Sequence, residues 1–310
     1  METIRRILPP VIQRAIANLP KKDIRQLEEI RLRVNQPVEL VLDGQTLFLD
    51  KIPRFSLEGV RYVLDRLGEY SLYTLEEELK RGYVTIEGGH RVGLAGRVVT
   101  NNGYVKLIRD ISSFNIRIAR EKIGAAQSVA DHLVDRGRWL NTLIIGPPQT
   151  GKTTLLRDIA RMASSGVPTV SAKKVGIVDE RSEIAGCIKG VPQNNLGQRV
   201  DVLDACPKAE GLMMLIRSMS PDLIVVDEIG RKEDTEALFE ALNAGVTIIA
   251  SAHGFNLEQI KQRPTVRPLF EHQLFDRYII ISRRHGPGSI EAVLDGTGKT
   301  IVRKESGAAS

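Results

Sequence analysis

The segment that most restricts this chain lies between residues 142 and 163. A short apolar run, Thr-Leu-Ile-Ile, leads into Gly146-Pro147-Pro148-Gln149-Thr150-Gly151-Lys152-Thr153-Thr154, and a helical pattern, LLRDIARMA, follows at once. This is the G-x-x-x-x-G-K-T octet in a strand–loop–helix setting. Gly146 and Gly151 permit backbone angles that turn several N–H groups toward one cluster of phosphate oxygens, and the following helix adds its positive N-terminal end. Lys152 is placed to set its ammonium against the β and γ phosphates of a nucleotide, and the Thr153 hydroxyl to complete a Mg²⁺ shell. Residues 146–154 are therefore read as a nucleotide-binding loop.

The sequence around this loop has a regular organisation. Short apolar runs at 142–145, 175–178, 223–226 and 246–250 alternate with helical patterns. Near-continuous apolar runs of that length suit parallel strands covered by helices on both faces. The helix expected at 233–244 has acids in its first turn and Gly245 as its stop. Two further runs, 278–282 and 290–294, flank Gly286-Pro287-Gly288 as a hairpin. The earlier part of the chain mixes elements differently. Ile30-Leu32-Val34 and Val38-Leu40-Leu42 alternate across a turn at Asn35-Gln36-Pro37, while Leu57, Val60, Leu64 and Leu67 recur at helical spacing. Thr74 and Glu77 have the form of a capping box for a second helix that Gly82 can end, and Gly88-Gly89 and Asn101-Asn102-Gly103 are hairpin turns. The expected division is an α+β domain over 1–122, an α/β domain over 123–302 and a flexible tail over 303–310.

In an open parallel sheet, ligands bind beyond the carboxyl ends of the strands. Three acidic or imidazole features fall there. The run at 223–226 ends in Asp227-Glu228, which suits a metal anchor followed by an acid that polarises the attacking water. This reading places that strand beside the strand of the phosphate loop. The run at 175–178 ends in Asp179-Glu180-Arg181-Ser182-Glu183, a second acidic cluster pointing to the same edge. His253, in Ser-Ala-His-Gly after 246–250, is expected to face the γ phosphate. Plainer readings stand beside these: Glu228 as the start of a helix cap, solvated loop acids at 179–183, and a structural histidine.

Bulk properties remove several classes. Two cysteines, Cys187 and Cys206, without CxxC spacing argue against a disulfide scaffold or a cysteine-built zinc site. The apolar N-terminal stretch is interrupted by Pro9 and Pro10 and lacks a small-residue cleavage site, so it is not read as a signal peptide. No run approaches the roughly 20 apolar residues of a membrane-spanning helix, and a cytoplasmic location is expected. Net charge is +6. A basic balance favours polyanions, but the cations are scattered among nearly as many acids, and aromatics at 5% give little for base stacking.

The order of these parts resembles the secretion ATPases, the motor family of type II and type IV secretion and of pilus extension and retraction. The resemblance rests on the phosphate loop, then Asp179-Glu180-x-x-Glu183, then Pro221-Asp222-Leu-Ile-Val-Val-Asp227-Glu228-Ile-Gly-Arg231, then His253. It extends from about residue 28 to 295. A narrower resemblance, to sporulation members from endospore-forming bacteria, rests on GPPQTGKTTLLRD, VDERSEIAG and RVDVLDACPKAEGLMMLIRSMSPD. The fold it implies is α/β: a RecA-like P-loop NTPase domain with a parallel sheet, preceded by a smaller α+β domain. The chemistry it implies is hydrolysis of ATP with Mg²⁺, held by Thr153 and, through water, by Asp227. Arg91 and Arg109 match places where the family carries arginines that reach a neighbouring subunit's nucleotide. The implied assembly is a homo-oligomer, a hexameric ring, on the cytoplasmic face of a membrane. There its partners are the membrane proteins of a channel apparatus joining mother cell and forespore, in the mother cell, and no nucleic acid. The family usually has Gly-Glu at 227–228, Thr-x-His-Thr at 251–254 and Glu-Asp at 179–180. These departures leave the water-orienting carboxylate open between Glu228, which is favoured, and Asp179 or Glu180. A nucleic-acid-stimulated ATPase and a nucleotide-gated scaffold without turnover are the alternatives to a channel motor.

Overall fold

The computed structural model describes residues 1–68, 82–101, 103–119 and 122–303. The expected helix cap at Thr74 and Glu77 lies outside the described residues, as does most of the expected tail, 304–310. The chain divides into two compact units, Met1–Arg120 and Glu121–Ser310.

The first unit is a helix-covered antiparallel sheet. Helices α1 (Glu2–Ile7), α2 (Pro10–Ala17) and α3 (Lys21–Gln26) lead into strands β1 (Leu27–Arg33), β2 (Glu39–Leu42) and β3 (Gln45–Phe48). Helix α4 (Leu57–Gly68) precedes β4 (Tyr83–Ile86), β5 (His90–Asn101) and β6 (Tyr104–Arg117). The strand order is β3-β2-β1-β6-β5-β4. Period-2 alternation sends Ile30, Leu32, Val92, Leu94, Phe114 and Ile116 to one face, where they pack with Ile4, Ile12, Ile16, Val60, Val63 and Leu67 from the helices. The other face carries Arg31, Arg33 and Arg117, ion-paired with Glu29 and Glu39, so register alone separates an apolar from a charged side.

The second unit opens with a 3₁₀ turn at Gln127–His132 and a small hairpin of β7 (Val134–Asp135) and β8 (Arg138–Trp139). Its main body is an α/β sheet. The elements are β9 (Thr142–Gly146), α5 (Lys152–Ser165), β10 (Val175–Asp179), β11 (Val200–Asp204), α6 (Lys208–Met219), β12 (Leu223–Val226), α7 (Lys232–Asn243), β13 (Thr247–His253), short helices α8 (Leu257–Lys261) and α9 (Arg267–Glu271), then β14 (Arg277–Ser282), β15 (Ser289–Asp295) and β16 (Thr300–Arg303). The order is β11-β10-β12-β13-β9-β14-β15-β16, parallel from β11 to β14 and antiparallel thereafter. Alternate residues of each central strand enter different cores. Ile144, Ile177, Val225 and Ile249 pack with Leu155, Leu156 and Ile159 of α5. Leu143, Val178, Ile224 and Ile248 pack with Leu212 and Leu215 of α6 and Leu238 of α7. Burial on both faces is why these strands read as unbroken apolar runs.

Three details differ from the sequence reading. The strand ending at Asp227 is not beside the strand of the phosphate loop, because β13 is hydrogen-bonded between them. Strand β11 was not anticipated: Val-Asp-Val-Leu-Asp lies at the sheet edge, half-buried along its length, and lacks an apolar run. Arg303 does not begin a tail but ends β16.

Candidate active site

The phosphate loop follows β9 and is shaped by two glycines for different reasons. Gly151 sits at φ 90°, a conformation that strains any residue with a Cβ, and caps α5. Gly146 has an ordinary backbone but no space: an added Cβ would lie 2.6 Å from Thr150 Oγ1 and 2.7 Å from Ile281 Cγ1. The turn between β14 and β15 backs the loop, with the Gly288 N–H donating to the Thr150 carbonyl at 2.7 Å. Arg283 on that turn donates to Gln149 Oε1 at 3.4 Å. Pro147, Pro148 and Thr154 complete the loop and the first turn of α5 without further side-chain hydrogen bonds of note.

Lys152 is almost fully buried, at 4% exposure. Its ammonium donates to the carbonyls of Gly146 at 3.0 Å and Pro147 at 2.9 Å, and lies 3.0 Å from His253 Nδ1. Burial pushes the Lys152 pKa down, while the carboxylates of Asp227, Glu228 and Glu183 oppose that shift. These acids favour the charged form of the buried ammonium.

The two residues after β12 divide their work. Asp227 accepts from Thr153 Oγ1 at 2.6 Å and from the buried hydroxyl of Ser251. A hydroxyl and a carboxylate so close together fit a Mg²⁺ that keeps water and phosphate oxygens as its remaining ligands. Glu228 has φ 55°, an unusual backbone for glutamate, and its N–H is held by Ser251 Oγ at 3.0 Å. Its side chain accepts from His253 Nε2 at 2.8 Å and from Arg181 Nη1 at 2.7 Å. Helix α7 is capped without it: Asp234 accepts the N–H groups of Gly230 and Arg231, both at 3.0 Å.

The acids after β10 are placed differently. Asp179 is buried, and its two oxygens accept the N–H groups of Glu183 and Ala185, each at 2.8 Å. Burial raises its pKa, and those backbone donors oppose the rise. Asp179 thus shapes the turn that follows it. Glu180 is paired with Lys208 at the start of α6. Neither carboxylate joins the Lys152–His253–Glu228 cluster through a hydrogen bond.

In the first unit, the Arg91 guanidinium lies over the Tyr83 ring, 3.8 Å from its centroid. Arg109 is exposed on the β5–β6 hairpin, opposite Arg97. The structure thus gathers Lys152, Thr153, Asp227, Glu228 and His253 into one hydrogen-bonded group at the carboxyl edge of the sheet. Sequence reasoning assigned no role to Ser251, Arg181 or Arg283. Their only signal was position beside a strand end or turn already singled out. Among the described residues, no group of three or more His, Cys, Asp or Glu side chains forms a metal site unaided, and no helix is long and apolar enough to cross a membrane.

Residues 1–301 match the family described as "Sporulation stage III, protein AA". The chain is 56% identical over 303 residues to stage III sporulation protein AA of Bacillus subtilis (strain 168), covering 98% of both chains. Among solved structures, it resembles the ATPase DotB of Legionella pneumophila, with a TM-score of 0.60, 14% identity, and coverage of 89% of this chain and 76% of that one. It also resembles the pilus retraction motor PilT with bound ADP, with a TM-score of 0.60, 17% identity, and coverage of 92% and 82%. At such identities the likeness is one of fold, a RecA-like α/β arrangement with a mostly parallel sheet.

Proposed function

The chain belongs to the sporulation stage III protein AA family, and on that premise we propose that it is a Mg²⁺-dependent ATPase motor of a channel or secretion apparatus in endospore formation. The observation that carries the proposal is the single hydrogen-bonded path from Lys152 through His253 to Glu228, beside the Thr153–Asp227 pair. Phosphoryl transfer to water needs positive charge on the phosphates, a metal anchor and a group that orients the water. Here Lys152 and the loop N–H groups bind phosphate, Thr153 and Asp227 hold Mg²⁺, and Glu228 orients the water. Glu228 is preferred over Asp179 and Glu180 because only its carboxylate bonds into the Lys152 cluster.

His253 links the phosphate-binding cation to the water-orienting acid, so a terminal phosphate drawing on Lys152 also alters the partner of Glu228. Chemistry and occupancy are coupled by that link. Supported by the family's general pattern, the assembly is a homo-oligomeric ring. Arg91 and Arg109 act across subunits in it, and the ring works at the cytoplasmic face with the membrane proteins of the mother-cell apparatus. No nucleic-acid partner is part of this reading.

The direct test is calorimetric titration of the purified chain with Mg·ATP, alongside phosphate release. Binding in the micromolar range with measurable turnover is expected. Well-folded protein that neither binds nor hydrolyses Mg·ATP, alone or with its membrane partners, would overturn the proposal.

A further inference from the structure

The turn after β10 is held together by its own bonds. Asp179 accepts two backbone N–H groups within it. Ser182, at φ 52°, donates to Asp204 Oδ1 at the end of β11 at 2.7 Å. Glu180 pairs with Lys208. Arg157 on α5 donates to the carbonyls of Glu183 and Ile184, both at 2.7 Å. Arg181 does something else: its guanidinium crosses to the end of β12 and donates to Glu228 Oε2 at 2.7 Å. A turn secured at so many other points has little need of that bond for its shape, so the bond's consequence falls on Glu228.

That consequence is specific. Glu228 Oε1 is taken by His253, and His253 is tied to Lys152. Glu228 Oε2 is taken by Arg181. Both oxygens of the acid that orients water are therefore engaged by donors. The His253 bond ties Glu228 to Lys152, whereas the Arg181 bond ties it to the turn after β10. Arg181 also has somewhere else to go. Its Nε lies 3.9 Å from Glu183 Oε1 while its Nη1 holds Glu228, so the guanidinium already sits between two carboxylates, and with its side chain 59% exposed a small rotation shifts it from one toward the other.

We infer that Arg181 is a positioning residue that restrains Glu228, and that a shift of its shared guanidinium toward Glu183 frees Glu228 to orient the attacking water. The inference rests on the proposed role of Glu228. The restraint is modest, because exposed ion pairs contribute little, and it serves as a bias on the acid rather than a block. Its position at an exposed edge makes the restraint accessible to any neighbouring group that competes for the guanidinium.

The test uses the full chain and four variants, with phosphate release measured over an ATP series, Mg·ATP affinity by calorimetry, and melting temperature as the control for folding. Arg181→Ala and Arg181→Gln should raise kcat by roughly 2- to 5-fold, the scale an exposed ion pair can impose, with KM and Mg·ATP affinity unchanged. In a Glu228→Gln background, Arg181→Ala should leave the residual rate as it is, because the effect runs through the carboxylate. Unchanged or lowered kcat in both single variants, at wild-type melting temperature, overturns the inference. So does an acceleration that survives in the Glu228→Gln background. If the wild-type chain turns over ATP and the variants do not speed up, only this inference falls. If the wild-type chain does not act on Mg·ATP at all, the proposed function falls first and takes this inference with it.

Discussion

The Lys152 ammonium nitrogen lies 3.0 Å from Nδ1 of His253. An ammonium group has no lone pair, so the imidazole nitrogen must be the acceptor and the ring proton must sit on Nε2. That nitrogen faces Glu228 Oε1 at 2.8 Å, which the N–H then satisfies. The histidine is thereby fixed as one tautomer, held between the Lys152 ammonium and the Glu228 carboxylate.

Removing the ring should uncouple those two groups without emptying the phosphate site. His253→Ala is expected to lower kcat about tenfold, equivalent to ~1.4 kcal/mol and close to the net value of one charge-assisted hydrogen bond. Mg·ATP affinity should change much less, because the loop and Thr153 remain. Steady-state kinetics beside calorimetry check this, and a selective loss of affinity with kcat intact would contradict it.

The two kinds of acid should fail in different ways. Glu228→Gln is expected to bind Mg·ATP yet turn over at least ~100-fold more slowly, the scale for losing a group of this type. Asp179→Asn places an NH₂ group against backbone N–H donors in a buried turn, and should cost about 1–3 kcal/mol of stability. Urea melts and phosphate release on both variants separate the roles. A stable but inactive Asp179→Asn chain would move the water-orienting role to that residue.

His90 in the first unit makes stability depend on pH. It is buried, and its Nδ1 accepts the Ala119 N–H at 2.9 Å. Burial foremost, and then the positive amino terminus, bring its pKa from 6.5 down to about 4. The folded state therefore favours the neutral ring. Its contribution is fully present above pH 6.5 and is lost as pH falls toward 4, by about 3 kcal/mol at the limit. His90→Asn keeps an acceptor that does not titrate, so the difference in melting temperature between it and wild type should narrow from pH 7 to pH 4. A constant difference would remove His90 as the source.

Arginines acting across subunits predict complementation. Arg109→Ala and Lys152→Ala should each be inactive alone, since one lacks the donated cation and the other its own phosphate site. Mixed at varied ratios, they should recover part of the activity through sites that combine an intact loop with an intact arginine. Recovery is read as phosphate release against mixing ratio. Its absence at every ratio would leave Arg109 as a surface residue of the β5–β6 hairpin.

The amino-acid sequence by itself determined the parts that depend on local chemistry. The strand–loop–helix around residues 146–154 is legible because glycines, a lysine and a threonine at that spacing follow an apolar run and precede a helical pattern, and the structure forms that strand and that helix. The buried strands β9, β10 and β12 are legible because burial on both faces leaves unbroken apolar runs. Asp227, Glu228 and His253 could be chosen because each stands at the end of such a run. The tertiary structure decided what adjacency in sequence cannot carry. Sheet order inserts β13 between β9 and β12, which puts His253 between Lys152 and Glu228. It also turns Asp179 and Glu180, the rivals that the sequence left beside the favoured Glu228, toward their own surroundings. A hydrogen bond between side chains from separate strands depends on crossover connections and register. Those are set by how helices of given length pack across the sheet, which no single segment of the chain encodes.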